Sequence, residues 1–367
     1  MDGQVARPDS DPDLADLLDK FVCVRVVQAW GLDLSLFQFD DGLTWSVFLM
    51  NADRTIYGRY GSLSPGKAAA RDVTLEGFKK ALQGALELHA AYPANKSELA
   101  GKKGPPAAWG APEQIPALKG KASARNSDGT RASCVHCHQV GEAELWSRRS
   151  LRQPIRDDLL WRYPMPDSIG LTLDPVERAT VTAIRPGSAA ERAGFRTGDR
   201  IAKLDGQPVI SIADVQWVLH TAKVPGTVKA EVTRDGRSVP LQLSLSADWR
   251  RGDEFTWRAS TRDLRYQVTG TERLEPLPAD ERTRLSIPDG KMALRVSGIA
   301  PDWFKARNPS GRNLKKGDIV LAVDAKRDLA TESLFYSHLL QDKAPGQGYQ
   351  LTVLRDGKPQ QVAMTLP

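Results

Sequence analysis

The period of the hydrophobic pattern shifts along the chain, and each shift marks a change of structure. From Phe21 to Val27 the run "FVCVRVV" is rich in β-branched residues and reads as a strand. "WSVFLMN" (45–51) and "RTIYGRYG" (54–61) predict two more strands, joined through the turn residues Ala52 and Asp53. The spacing then becomes helical. Leu75, Phe78, Leu82, Leu86 and His89 fall on one face of a helix predicted from Thr74 to Ala91, with Asp72 and Thr74 where caps belong. From 92 to 133 the periodicity dissolves into Pro, Gly, Lys and Ala, the composition of a linker. A short helix is predicted from Glu142 to Leu151. Beyond Ile169, short strands alternate with turn signals, and the whole pattern is run through a second time.

The two passes match landmark by landmark. Gly198-Asp199 aligns with Gly317-Asp318, Pro225-Gly226 with Pro345-Gly346, and "TRDGR" (233–237) with "LRDGK" (354–358). An offset near ~120 residues that holds through several landmarks is an internal duplication. In the first pass, "GSAAERAGFRTGDRIAKLDGQPV" resembles the bacterial form of the PDZ domain. Gly198 frees the backbone before Asp199, and Asp205-Gly206 is a hairpin turn pair. The second pass keeps "GDIVLAVDAK" but carries Ala325 in place of the turn glycine, and "PDWFKARNPSGRN" replaces the small-residue helix entry. It reads as a degenerate copy.

The PDZ resemblance implies binding by β-augmentation. An extended peptide adds to a sheet edge, and its terminal carboxylate sits in a nest of backbone N–H groups. On that reading "SIGLTL" is the carboxylate loop, with Ser168, Ile169, Gly170 and Leu171 as binding positions. The helix "IADVQWVLHTA" offers Val215, Val218 and Leu219 as pocket walls. The partner is then the C-terminus of a protein or peptide.

The N-terminal order of strand, loop, hairpin strands and closing helix resembles the C-terminal part of a thioredoxin fold, over roughly Asp11 to Ala91. The strand and CxxC-bearing helix that open that fold have no counterpart in the chain, and Thr44-Trp45 stands where its cis-proline belongs. The expected fold is therefore multidomain, α/β plus mainly β. A truncated thioredoxin-like domain (1–91) precedes a linker (92–133) and a separate segment (134–164). A PDZ domain (165–248), a connector (249–277) and a degenerate PDZ-like domain (278–367) follow.

Composition narrows the function. At 367 residues the chain holds 41% hydrophobic and 26% charged residues, ordinary for globular protein. No run approaches the length of a membrane span. The net charge of +6 comes from basic residues interspersed with acids, which speaks against nucleic acid as a partner. Three cysteines form no disulfide framework, and Cys23 in its apolar run reads as a buried structural thiol. No glycine-flanked serine elbow of a hydrolase is visible. The opening "MDGQVARPDS" has neither the positive nor the apolar region of a signal peptide.

The strongest chemical signal is "ASCVHCHQV" (132–140). Cys134-x-x-Cys137-His138 is the c-type haem attachment pattern. Its thiols can add to the two vinyl groups, with His138 as the proximal iron ligand and Met165, held between prolines, as the candidate sixth. A dithiol tuned by His136 competes with this reading. So does a metal site through His138, although ligands this crowded do not suit one tetrahedral ion. Haem c is the favoured expectation. The architecture as a whole resembles a family of bacterial proteins that join a thioredoxin-like domain to PDZ repeats, some of them selenoproteins. It implies an exported, periplasmic redox or electron-transfer protein docked to a redox partner, with its true start upstream of Met1. The alternatives are a thiol or selenol oxidoreductase whose catalytic part lies upstream, and a non-catalytic adaptor.

Overall fold

A computed structural model describes residues 3, 5, 11–43, 45–62, 72–121, 127, 134–302 and 313–367. The chain divides into two compact units, one formed by residues 1–140 and 162–252, the other by 141–161 and 253–367.

The first unit begins with helix α1 (Pro12–Leu18), capped by Asp11, whose carboxylate accepts from the Leu14 N–H at 3.1 Å. Strands β1 (Val47–Met50) and β2 (Ile56–Tyr60) form an antiparallel hairpin, covered by helix α2 (Leu75–Ala90). Leu14, Leu49, Tyr57, Phe78 and Leu82 are the centre of their shared core. The predicted hairpin and helix therefore form. The strand predicted at 21–27 does not. Val22 is 95% and Val24 80% exposed, and Cys23 is exposed rather than buried. Among the described residues the sheet here has two strands and none pairs with this run, so its β-branched side chains have nothing to cover them. A thioredoxin-like sheet is thus not assembled. The stretch read as linker contributes short helical turns at Lys96–Leu99, Ala100–Lys102, Pro112–Gln114 and Pro116–Leu118.

Helix α3 (Cys137–Ser150) starts ahead of its predicted beginning at Glu142. Strands β3 (Leu171–Leu173) and β4 (Val181–Ile184) then pair antiparallel. A sheet in the order β6-β5-β7-β8 follows, built from β5 (Arg200–Leu204), β6 (Gln207–Pro208), β7 (Gly226–Arg234) and β8 (Arg237–Leu245). Helix α4 (Ile212–Thr221) packs across them, and Leu171, Ile201, Val215, Leu219, Val232 and Leu243 fill the core.

In the second unit, helix α5 (Arg262–Thr269) leads into an antiparallel sheet in the order β13-β12-β11-β10-β9. Its strands are β9 (Thr271–Pro276), β10 (Leu294–Ile299), β11 (Ile319–Val323), β12 (Gly348–Arg355) and β13 (Lys358–Thr365), with helix α6 (Glu332–Gln341) packed against them. The stretch read as a connector (249–277) thus holds a helix and an edge strand. Trp161, Phe255, Val296, Phe335 and Val353 belong to the core.

Matching interactions recur in the two units. Asp199 accepts from Arg234 Nε at 2.7 Å and Nη2 at 2.8 Å, and Asp318 from Arg355 Nε at 2.8 Å and Nη2 at 2.7 Å. The Val181 N–H donates to Asp199 O, and Val296 N–H to Asp318 O, both at 2.8 Å. Asp205 and Asp324 take the left-handed turn conformation at φ 47° and 43°.

Candidate functional site

The edge of β3 is set by the turn before it. Pro166–Ile169 winds into one 3-10 turn that Gly170 ends at φ +89°. Only glycine fits there, because a Cβ would stand 2.2 Å from that of Ser188. Ser168 N–H donates to Met165 O and Gly170 N–H to Asp167 O, both at 3.0 Å, so these two donors are turned into the loop. Gly170 O accepts from Arg185 N–H at 2.9 Å and Asp174 N–H donates to Thr180 O at 2.8 Å, fixing which side of the strand faces β4. By alternation, Leu171 and Leu173 turn their backbone groups to the opposite, outer edge.

Helix α4 is capped by Ser211, whose hydroxyl accepts from the Ala213 N–H at 3.1 Å. Val215, Val218 and Leu219 are buried in the same core as Ile169 and Leu171. The structure thus gathers the seven sequence-predicted peptide positions: Ile169, Leu171 and the three helix residues in one hydrophobic cluster, Ser168 and Gly170 in the turn beside it.

The other faces of α4 are covered from within the unit by groups the sequence reading did not single out. Lys102 Nζ lies 2.9 Å from Asp214 Oδ1, with 1% and 2% of the two side chains exposed. Asp214 also accepts from the N–H groups of Arg59 at 3.2 Å and Ile210 at 3.1 Å. The Arg59 guanidinium lies 3.9 Å over the Trp217 ring and donates to Gln38 O and Lys102 O. Burial pushes Arg59 down to about 10, against the opposing pull of Tyr163 and Asp214, and it lowers Lys102 as well. The Tyr163 ring stacks on His220 at 4.2 Å, and Tyr163 O accepts from Gln216 Nε2 at 2.9 Å. One signal was present: Asp214 sits in the first turn of an otherwise largely apolar helix, where an acid is buried only with a partner.

The CxxCH residues fall elsewhere. Cys134 is exposed, while Val135 is buried and its carbonyl accepts from the Ala29 N–H at 2.9 Å. Cys137 opens α3, and the His136 and His138 rings stack at 6.0 Å. Burial, aided by Asp41, pushes the Cys137 thiol up, the opposite of what an attacking thiolate needs. Met165 packs into the core with Tyr163 and Ile169, where its sulfur is taken up by packing. Among the described residues no group of three or more His, Cys, Asp or Glu is placed to hold a metal ion.

Residues 165–245 match the family model "PDZ domain". A "Probable periplasmic serine endoprotease DegP-like" of Marinomonas sp. is 26% identical over 189 residues, 51% of this chain and 37% of the relative. The "Periplasmic pH-dependent serine endoprotease DegQ" of Escherichia coli is 29% identical over 157 residues, 42% of this chain and 30% of the relative. A solved "serine endoprotease from Yersinia pestis" matches at 23% identity and TM-score 0.20, covering 21% of this chain and 28% of that one. The chain spans about a third of the length of these curated relatives. No helix among the described residues is long and apolar enough to cross a membrane.

These findings overturn part of the sequence reading. The domain that is matched is PDZ, and the relatives are named as serine endoproteases. The expectations of haem c at Cys134, Cys137, His138 and Met165, of a redox partner, and of a thioredoxin-like selenoprotein family are corrected accordingly. The oxidoreductase alternative goes with them. The CxxCH spacing misled because it is a local string that fixes none of its surroundings, and Met165, the candidate sixth ligand, is committed to a core.

Proposed function

We propose that this chain recognises extended peptides in the periplasm, in the service of serine endoproteolysis, through the groove between β3 and α4. The carrying observation is the outer edge of β3, with which no strand pairs among the described residues, beside the Gly170 turn. The terminal carboxylate of the peptide lies against the turn formed by Ser168, Ile169, Gly170 and Leu171, and Val215, Val218 and Leu219 support the apolar floor. The second unit is read as a PDZ-like repeat, on the recurring Asp–Arg clamps and turn geometry. The names of the relatives favour the compartment and the protease connection.

The test is fluorescence anisotropy with a labelled decapeptide ending in Leu-Val-Val. The free-carboxylate form is expected to bind at least about tenfold tighter than its C-terminal amide, the worth of one charge-assisted contact. Gly170→Val, which fills the space taken by Ser188, is expected to abolish binding. Equal binding of both peptides by the wild type would remove the carboxylate role, and no binding of either would remove the reading. Periplasmic fractionation of the native host checks the compartment.

A further inference from the structure

The second unit carries the same strand-and-helix groove, and its own side chains fill it. β9 is the last strand of its sheet, so its outer edge is where a peptide would add, and that edge faces α6. Glu332 Oε1, on the first turn of α6, accepts from the Leu274 N–H at 2.8 Å. Arg265, from α5, donates to the carbonyl of Glu272, and its Nη1 lies 3.6 Å from the same Glu332 oxygen. Both side chains are largely buried, 10% and 11% exposed. One helical turn beyond Glu332, the Tyr336 hydroxyl is 2.7 Å from Thr269 Oγ1 and 2.9 Å from Thr271 Oγ1, at the turn that opens β9.

An added strand would supply one C=O to the Leu274 N–H and one N–H to the Glu272 carbonyl two residues earlier. The carboxylate and the guanidinium supply that same acceptor and that same donor. Their mutual attraction and their hydrogen bonds to the strand offset part of the cost of burying them. The tyrosine hydroxyl meanwhile sits at the turn where a terminal carboxylate would end.

The first unit carries other side chains where these three stand, and its outward strand residues, Leu171 and Leu173, fall one place from Glu272 and Leu274, because the pairing of β9 with β10 shifts register at Gly298. Gly170 and Gly270 both have positive φ and both accept, at 2.9 Å, from the opposite strand (Arg185 N–H and Ala300 N–H). Ser211 and Thr331 cap the two groove helices. Aligning the units on these points places Met165 where Arg265 stands, Ile212 where Glu332 stands, and Gln216 where Tyr336 stands. Met165 and Ile212 are apolar and can satisfy no backbone group, while the Gln216 amide is spent on Tyr163 O.

We propose that Arg265, Glu332 and Tyr336 shut the second groove by standing in for a bound peptide, so that the chain is a one-peptide receptor. Its first groove is bordered by Met165 and Ile212 and therefore takes an apolar peptide end. The assignment of the peptide rests on the function proposed above for the first groove. The closure rests on the second unit's own hydrogen bonds.

The experiment uses the full chain, isotopically labelled, with amide exchange and peptide titration read by NMR. In the wild type the Leu274 amide is expected to exchange slowly, and the Leu-Val-Val decapeptide to shift amides around Leu171 and Leu173 but not Thr271 or Leu274. Arg265→Met/Glu332→Ile, which writes the first groove into the second, should speed Leu274 exchange at least about tenfold and admit a second peptide. Met165→Arg/Ile212→Glu should close the first groove and lose the first peptide. Should the double variants not fold, the wild type alone decides the matter. Leu274 exchanging like an unstructured amide, or shifting when peptide is added, overturns the closure. If peptide shifts no amide at all, the first-groove reading fails, while slow Leu274 exchange still upholds the closure.

Discussion

Asp214 carries one negative charge between Lys102 and the backbone of Arg59, on a helix otherwise buried by apolar contacts. A buried cation left without its carboxylate costs about 3–5 kcal/mol. Asp214→Ala is therefore expected to lower the urea unfolding free energy of the first unit by that order, with Lys102 forced to shed its proton or draw in water. An effect below about 1 kcal/mol would mean the pair is solvated in solution. The partner of Asp214 could not be read from the chain, because Lys102 lies in a Pro/Gly/Lys-rich stretch that reads as linker and is brought to the helix only by tertiary packing. Gly170 and Gly198 were legible for the opposite reason. Each owes its role to a turn a few residues long, and turn chemistry is written locally.

Among the elements, those whose stabilising contacts lie close along the chain formed as the pattern foretold, as β1, β2 and α2 show. The run at 21–27 needed a neighbouring strand that the described residues do not supply, and its β-branched content alone could not make it a strand. The duplicated Asp–Arg clamps show how an element-level contact responds to pH. Burial raises Asp199, but the two hydrogen bonds from Arg234 and the Arg196 N–H outweigh it, and the carboxyl ends below its ordinary value. The folded state thus binds that proton less readily than the unfolded one. The stabilisation is complete above the usual aspartate range near ~4 and is lost as pH falls through the lowered folded value. Calorimetry from pH 7 down to pH 2 should show the first unit's melting temperature dropping below about pH 4. Asp199→Asn should start lower at pH 7 and fall less steeply. Parallel slopes for the two proteins would deny Asp199 the role.

At the scale of the whole molecule, the sequence suggested that 134–164 stands apart between a linker and the first repeat, but much of it belongs to the core of the second unit. Residues 141–161 cluster with 253–367. Trp161 packs edge-on to Phe255 with ring centroids 5.0 Å apart, and its Nε1 donates to Asp253 O at 2.7 Å. Ile155 O accepts from Gln341 Nε2 at 3.0 Å, and Leu145, Ile155 and Leu160 are buried in the same cluster. No local pattern announces an arrangement in which one unit borrows twenty-odd residues from across an intervening domain. Its energetic consequence is large. Each buried side chain of this kind is worth about 1.5–3 kcal/mol, and four of them approach the whole stability of a small domain, about 5–15 kcal/mol. A fragment of residues 253–367 is therefore expected to lack a cooperative thermal transition by circular dichroism, and a synthetic peptide of residues 141–161 added to it to restore one. If 253–367 alone melts as sharply and as high as the second unit does in the full chain, the borrowed segment contributes packing without being part of the fold.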